Sequence, residues 1–238
     1  MGTIDKPIDK SIQIIASDKS WIEGTAVSQL EHVARFEGME YSVGLPDLHP
    51  GKGTPIGAAF FSKGVIYPHL VGNDIGCGMG LWQVDLPIRK AKIEKWQKLL
   101  LEPKVWQEVM KDDELPSSPF DHKLGTVGGG NHFAEFQSVV DVVRSDLFEG
   151  LKLDRKQTFL MIHSGSRGLG DAVLREHTAV KGAEGLKEGS AEFSYYFERH
   201  DFALDWAIVR ADTLEGGLPE GLRDQILSEC GGLRQAAG

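Results

Sequence analysis

Apolar residues recur at three- and four-residue spacing in several stretches of the chain, the period of a helix with one buried face. Thr25–Phe36 puts Val27, Leu30, Val33 and Ala34 on one side, and Lys90–Leu101 does the same with Ile93, Trp96, Leu99 and Leu100. The longest such stretch, Glu192–Leu214, aligns Phe193, Phe197, His200, Leu204, Ala207, Ile208 and Ala211. A short last helix is expected at Arg223–Cys230. Shorter apolar or alternating runs predict strands at Ile56–Phe61, Leu81–Leu86, Phe133–Val140 and Thr158–Ile162, the last ending at His163. Asp112–Asp121 and Lys181–Ser190 read as surface loops. Helices and strands mix without a regular βαβ alternation. The expected class is therefore α+β, with mixed sheets and packed helices. No linker divides the chain, so a single domain over residues 1–238 is expected.

Glycine changes this picture, because its 29 residues are clustered rather than spread. The clusters lie at 44–57, 72–80, 125–130 and 165–170, beside the predicted strands. Such clusters mark loops whose backbone turns sharply or approaches a neighbour closely. Each cluster also carries polar residues able to bind a cation or a phosphate. The segments are LPDLHPGKGTPIG (45–57), VGNDIGCGMG (71–80), LGTVGGGNHF (124–133) and HSGSRGLG (163–170).

Asp74 and Cys77 offer a hard oxygen and a soft sulfur three residues apart in one tight loop. Thiolate favours zinc or a borderline metal, while carboxylate and imidazole also admit manganese. Taken as a pair, they also suit a turn-capping aspartate beside a small buried thiol. His132 and His163 sit against similar glycine turns and complete an Asp/Cys/His/His set, which points to a divalent cation. In HSGSRG, backbone N–H groups, two hydroxyls and Arg167 form a candidate anion cradle, with Arg167 able to grip a phosphate through two parallel hydrogen bonds. Gly51-Lys52-Gly53 lacks the spacing of a phosphate-binding P-loop. The strand period places a constraint on Asn131, His132 and Glu135. If His132 binds metal while Asn131 and Glu135 touch a nucleotide, the strand must start near Phe133, leaving Asn131 and His132 in the loop.

Composition narrows the setting. The chain has 238 residues, with 41% hydrophobic and 26% charged, an ordinary globular mixture. Its two cysteines, Cys77 and Cys230, exclude a disulfide scaffold and suit a reducing, cytoplasmic home. No secretory signal and no membrane-spanning run is read from the sequence. The formal net charge of -9 argues against general nucleic-acid binding. It leaves room for RNA at one local site, where bound cations would offset part of the negative charge.

In order along the chain, LPDLHPGKG, GNDIGCGMG, GGGNHFAE and HSGSRG resemble the signature segments of the RtcB family of RNA ligases. The opening SWIEGTAVSQLEHVARFEGMEYSVGLPDLHPGKGTPIGAAF looks most like the subgroup linked to a release-factor-like protein. The resemblance implies joining of RNA 3′-phosphate or 2′,3′-cyclic phosphate ends to 5′-hydroxyl ends, with GTP and Mn2+ as cofactors (zinc being the other candidate metal). It implies Asp74, Cys77, His132 and His163 as ligands of two metals, with Cys77 bridging. It further implies Asn131 on the nucleotide phosphate, Glu135 on the guanine and Arg167 on an RNA phosphate. The family's guanylated histidine has no counterpart in this sequence, which matches roughly the first three-fifths of a complete ligase. His177 and His200 lack its context. Two other readings are a metal-dependent phosphodiesterase and a non-catalytic metal- or RNA-binding fragment.

Overall fold

The computed structural model describes residues 4–9, 12–17, 19–91, 116–124, 126–216 and 233–235. The predicted helix at Arg223–Cys230, nearly all of the one at Lys90–Leu101 and residues 112–115 of the Asp112–Asp121 loop lie outside the described residues. The architecture is α+β, as expected. Two compact units are present, Met1–Gly72 with Leu174–Glu198, and Asn73–Val173 with Arg199–Gly238.

The first unit holds a four-stranded sheet in the order β1 (Ile4–Asp9), β2 (Ile12–Ala16), β3 (Met39–His49), β4 (Ile56–Ser62). The β2–β3 pair is parallel and the other two pairs are antiparallel. Helix α1 (Gly24–Val33) buries Ala26, Leu30 and Val33. Ala26 and Leu30 pack with Ile12 and Leu48 into one apolar cluster. Three of the four strands were not expected from the sequence. The glycine-rich run from residue 44 reads as loop, yet β3 continues to His49. The irregularity falls between Gly44 and His49, where the ladder to β4 shifts register. A two-stranded pair, β5 (Val65–Ile66) with β9 (Leu186–Lys187), and the one-turn α2 (Pro68–Val71) complete this unit. The pair places a short strand inside the expected Lys181–Ser190 loop.

The second unit is built on an antiparallel sheet in the order β10 (Leu233–Gln235), β6 (Gly78–Pro87), β8 (Gln157–Ser164), β7 (Phe133–Gln137). Its alternation sorts the side chains cleanly. Trp82, Val84, Leu86, Leu160 and Ile162 form the buried core of one face, with Ala134, Phe136 and Ala211 packed against them. Each fully buried apolar side chain of this kind contributes roughly 1.5–3 kcal/mol. Phe133, Glu135, Met161 and His163 alternate with those residues and so belong to the opposite face. β7 begins at Phe133, leaving Asn131 and His132 in the preceding turn. The strand ends at Gln137, three residues short of the predicted run. Helix α3 (Ser145–Gly150) bridges β7 and β8 in sequence.

Helices α4 (Gly168–Lys181) and α5 (Ala191–Gly216) contribute residues to both units. On α5 the buried line is rotated from the predicted apolar stripe. It runs through Tyr196, Ala203, Trp206, Ala207 and Arg210, whereas Leu204 and Ile208 are exposed. Arg210 breaks the apolar pattern, so counting apolar residues alone points to the wrong side of the helix. His200, on the predicted apolar stripe, is half-buried and meets the Asp201 carboxylate at 2.9 Å.

Candidate metal centre

Strand register explains how residues far apart in the chain reach one place. In the β6–β8 ladder Gly78 pairs with Ser164 and Met79 with His163, which sets Cys77 beside the end of β8. In the β7–β8 ladder Phe133 pairs with His163, which brings the preceding His132 to the same end. The turn before β6 is closed by the Cys77 N–H bonding to the Asp74 carbonyl at 2.9 Å. It docks on the HSGSRG loop through the Ser166 N–H, which donates to the Ile75 carbonyl at 3.0 Å.

Glycine permits that docking. A Cβ at Gly165 would stand 2.5 Å from Asp74 Oδ1 and 2.9 Å from Cys77 Cα, distances no side chain tolerates. At Gly128, in the loop before His132, φ is +96°, which favours glycine on backbone grounds. Arg167 adopts the left-handed region without being glycine, at φ +51°. Its backbone N–H donates to Asp74 Oδ1 at 2.6 Å and its Nη1 to Asp74 Oδ2 at 3.2 Å. Its Nη2 donates to the Gly129 carbonyl at 3.0 Å. A strained backbone held by three such contacts points to a functional constraint.

Heteroatoms converge at the centre. Cys77 Sγ lies 3.5 Å from His132 Nε2 and 3.7 Å from His163 Nε2, and the three donors all fall within 4.8 Å of one another. His132 Nε2 is also 3.1 Å from Asp74 Oδ2. Donors about 2.0–2.3 Å from a tetrahedral cation stand roughly 3.6 Å apart, so the sulfur–nitrogen spacings are those of two edges of a coordination polyhedron. The His163 Nδ1–H donates to the Gly78 carbonyl at 3.0 Å. A carbonyl only accepts, so this bond fixes the tautomer and turns the Nε2 lone pair toward Cys77.

Protonation favours the same set. Burial lowers the pKa of His132, with Asp74 opposing and Arg167 assisting, so its imidazole is neutral at pH 7 and carries a lone pair. Burial and the negative charge of Asp74 push the Cys77 thiol up, with Arg167 opposing. An ionised thiolate here therefore calls for an additional positive charge. Two imidazoles and a thiol facing one another, with a carboxylate against one of the imidazoles, are a donor set for zinc or manganese.

Cys77, His132 and His163 fall into one donor cluster, while Asp74 reaches it through His132 and in turn binds Arg167. Asn131 is exposed in the turn before β7. Glu135 pairs with Met161 while Phe133 pairs with His163, so Glu135 follows two residues along on the His163 face. Its carboxylate accepts a bond from the Gln137 amide at 2.5 Å. Beside Arg167 opens a cavity of about 340 Å³, lined in part by Phe120, Lys123, Thr126, Gly129 and Arg210.

A family model described as tRNA-splicing ligase RtcB matches residues 29–111 and 106–216, most of the chain. The chain belongs to the RtcB family. The match spans all four glycine-rich segments described above, so the RtcB resemblance read from the sequence holds. Among the family's curated members, the chain is 46% identical to RNA-splicing ligase RtcB2 of Escherichia coli over 219 residues, covering 90% of this chain and 58% of that protein. It is 30% identical over 198 residues to proteins named RNA-splicing ligase RtcB1 and RNA-splicing ligase RtcB, also from Escherichia coli, covering 65% of this chain and 45% of each. The chain therefore spans about half to three-fifths of the length of these RtcB relatives.

Sequence reasoning missed Arg210. This arginine is 1% exposed and bonds to both the Thr126 and Gly165 carbonyls, yet it sits outside every glycine cluster. The available signal was one arginine among the many charged residues of α5, which reads as a solvated edge.

Proposed function

We propose that this chain is the metal-holding part of an RNA ligase that joins RNA 3′-phosphate or 2′,3′-cyclic phosphate ends to 5′-hydroxyl ends, using GTP and Mn2+ in the cytoplasm. The observation that carries this reading is the convergence of Cys77, His132 and His163 donors, with Asp74 against His132, in a chain of the RtcB family. Among the described residues no helix is long and apolar enough to cross a membrane, in keeping with a substrate met in solution. The likeness of the opening segment to a release-factor-linked subgroup extends this reading to a functional link with such a protein.

In this mechanism Asp74, Cys77, His132 and His163 would hold the divalent cations, with Cys77 supplying the soft donor. Divalent cations at such a site neutralise phosphate oxygens and favour in-line displacement at phosphorus. The chain's own contribution is positioning and charge. His163 is oriented by its bond to the Gly78 carbonyl. Arg167, whose guanidinium already spans Asp74 and the Gly129 carbonyl, grips an RNA phosphate from the side of the neighbouring cavity. Asn131 and Glu135 contact the phosphate and the base of GTP, Glu135 from the sheet face it shares with His163. No histidine of this chain is assigned as the guanylate acceptor.

The deciding experiment is a titration of the metal-free chain with Co2+ and Mn2+. We expect a thiolate-to-cobalt charge-transfer band that disappears in Cys77→Ser, and competition for the same site by Mn2+. Absence of the band, with neither ion bound in calorimetry, would overturn the reading. Incubation with labelled GTP and Mn2+ should leave no acid-labile guanylate on this chain, and an adduct would overturn the reading that none of its histidines is the acceptor.

A further inference from the structure

The buried arginine of α5 has no part in the mechanism above. Its guanidinium is hydrogen-bonded on both edges. The Arg210 Nε and Nη2 donate to the Thr126 carbonyl at 2.8 and 2.6 Å, and Nη2 also reaches Thr126 Oγ1 at 3.2 Å. From the other edge of the guanidinium, Nη1 donates to the Gly165 carbonyl at 2.9 Å. The cation also lies over the Trp206 ring, 5.6 Å from its centre. Thr126 opens the loop that ends at His132. Gly165 is the first residue after β8, the strand that carries His163, and leads to Arg167.

A buried cation costs several kcal/mol in desolvation, and well-packed apolar residues often serve stability equally well. The bonds here go to two backbone carbonyls 39 residues apart, one in the loop that leads to His132 and one just after the strand that ends beyond His163. A planar fork fixes the spacing of groups on its two edges, which a lysine ammonium does not. The geometry points to Arg210 as a positioning residue that clamps the 126–132 loop to the 163–167 loop, presetting the distance between His132 and His163 before any cation arrives. It touches none of the donor atoms and acts through the two carbonyls it holds.

The second measurement below rests on the cation reading; the first does not. Arg210→Lys and Arg210→Ala are compared with the unaltered chain. In hydrogen exchange of the metal-free proteins, Arg210→Lys should speed exchange in peptides covering 126–132 and 163–167 together, while residues 157–162 of β8 stay protected. In cobalt titrations Arg210→Lys should bind at least about tenfold more weakly, the loss usual for partners behind a metal ligand. Free guanidinium at millimolar concentration should restore much of the affinity of Arg210→Ala, whereas sodium chloride at equal ionic strength should not. If Arg210→Ala does not fold, Arg210→Lys decides. Arg210→Lys with native exchange in both loops and native cobalt affinity would overturn the clamp. If the unaltered chain binds no cobalt, the cation reading falls and the exchange data alone decide whether Arg210 holds the loops.

Discussion

Asp74 and Arg167 meet twice, through the Arg167 backbone N–H at 2.6 Å and its Nη1 at 3.2 Å, so one carboxylate holds both the backbone and the charge of the same residue. Asp74 Oδ2 is shared between that guanidinium and His132. A cation drawn to Oδ2 would compete with Nη1 and leave the guanidinium freer to take an anion. Arg167→Gln should therefore keep Mn2+ affinity within a few-fold of the original or strengthen it, while weakening capture of an RNA 3′-phosphate at least tenfold. The partly exposed ion pair itself contributes only about 0–1 kcal/mol, so the melting temperature should barely move. Calorimetry with Mn2+ and then with a 3′-phosphorylated oligonucleotide separates the two effects. A large loss of Mn2+ binding with phosphate capture intact would contradict the shared-carboxylate account.

Proton linkage at the same centre has a definite sign. The His132 pKa is lowered from the ordinary 6.5, so the metal-free fold resists a proton that the unfolded chain accepts. Stability is then complete above about 6.5 and declines as pH falls from there toward the lowered value. The Cys77 pKa is raised from 9.0, so the folded thiol keeps a proton that the unfolded chain releases, and stability declines as pH rises above that value. Metal binding must displace the thiol proton, so Mn2+ or Co2+ affinity should climb with pH through neutrality, by about tenfold per unit for one proton released. Cys77→Ser should flatten the alkaline limb of stability and cost more in Co2+ or Zn2+ affinity than in Mn2+ affinity, because sulfur is the soft donor. Denaturation midpoints and metal titrations from pH 5 to 10 test both limbs.

The candidate site was legible because its residues sit in short, unusual segments. Asp74, Cys77, His132, His163 and Arg167 each stand against a glycine turn, and strand pairing brings those turns to one end of a sheet. The fold was less legible where local pattern and tertiary use diverge. The Gly44–His49 run carries loop residues yet forms part of β3, because pairing with β2 and β4 overrides local propensity. On α5, a count of apolar residues puts Leu204 and Ile208 inward. The actual core uses Trp206 and the polar Arg210, since a buried guanidinium bonded to carbonyls is invisible to periodicity.

That rotation of α5 can be checked directly. Trp206 is wholly buried and its indole N–H donates to Asp121 Oδ1 at 3.1 Å, whereas Ile208 is 52% exposed. Trp206→Ala should cost about 3–5 kcal/mol, the range for a large buried aromatic. Ile208→Ala should stay within about 0.5 kcal/mol, as for ordinary surface changes. Urea denaturation of the two variants decides. Equal and large losses would restore the stripe expected from the sequence.

The closeness of the two ligand-bearing loops makes a sharper demand on glycine. Gly165→Ala places a methyl 2.5 Å from Asp74 Oδ1 and 2.9 Å from Cys77 Cα, against a carboxylate pinned by Arg167 and against backbone. Neither neighbour can yield without moving the loop that carries Cys77. The substitution should destabilise by about 1–3 kcal/mol, the usual range for overpacking, and should weaken cation binding by enlarging the Cys77–His163 gap. Gly129→Ala is the matched control, since its added methyl meets nothing within 4 Å and its carbonyl stays available to Arg167. It should leave stability and cobalt binding close to the original. Were Gly165→Ala to bind cobalt as tightly as Gly129→Ala, with the same thiolate band, the loops would have slack that the observed packing denies.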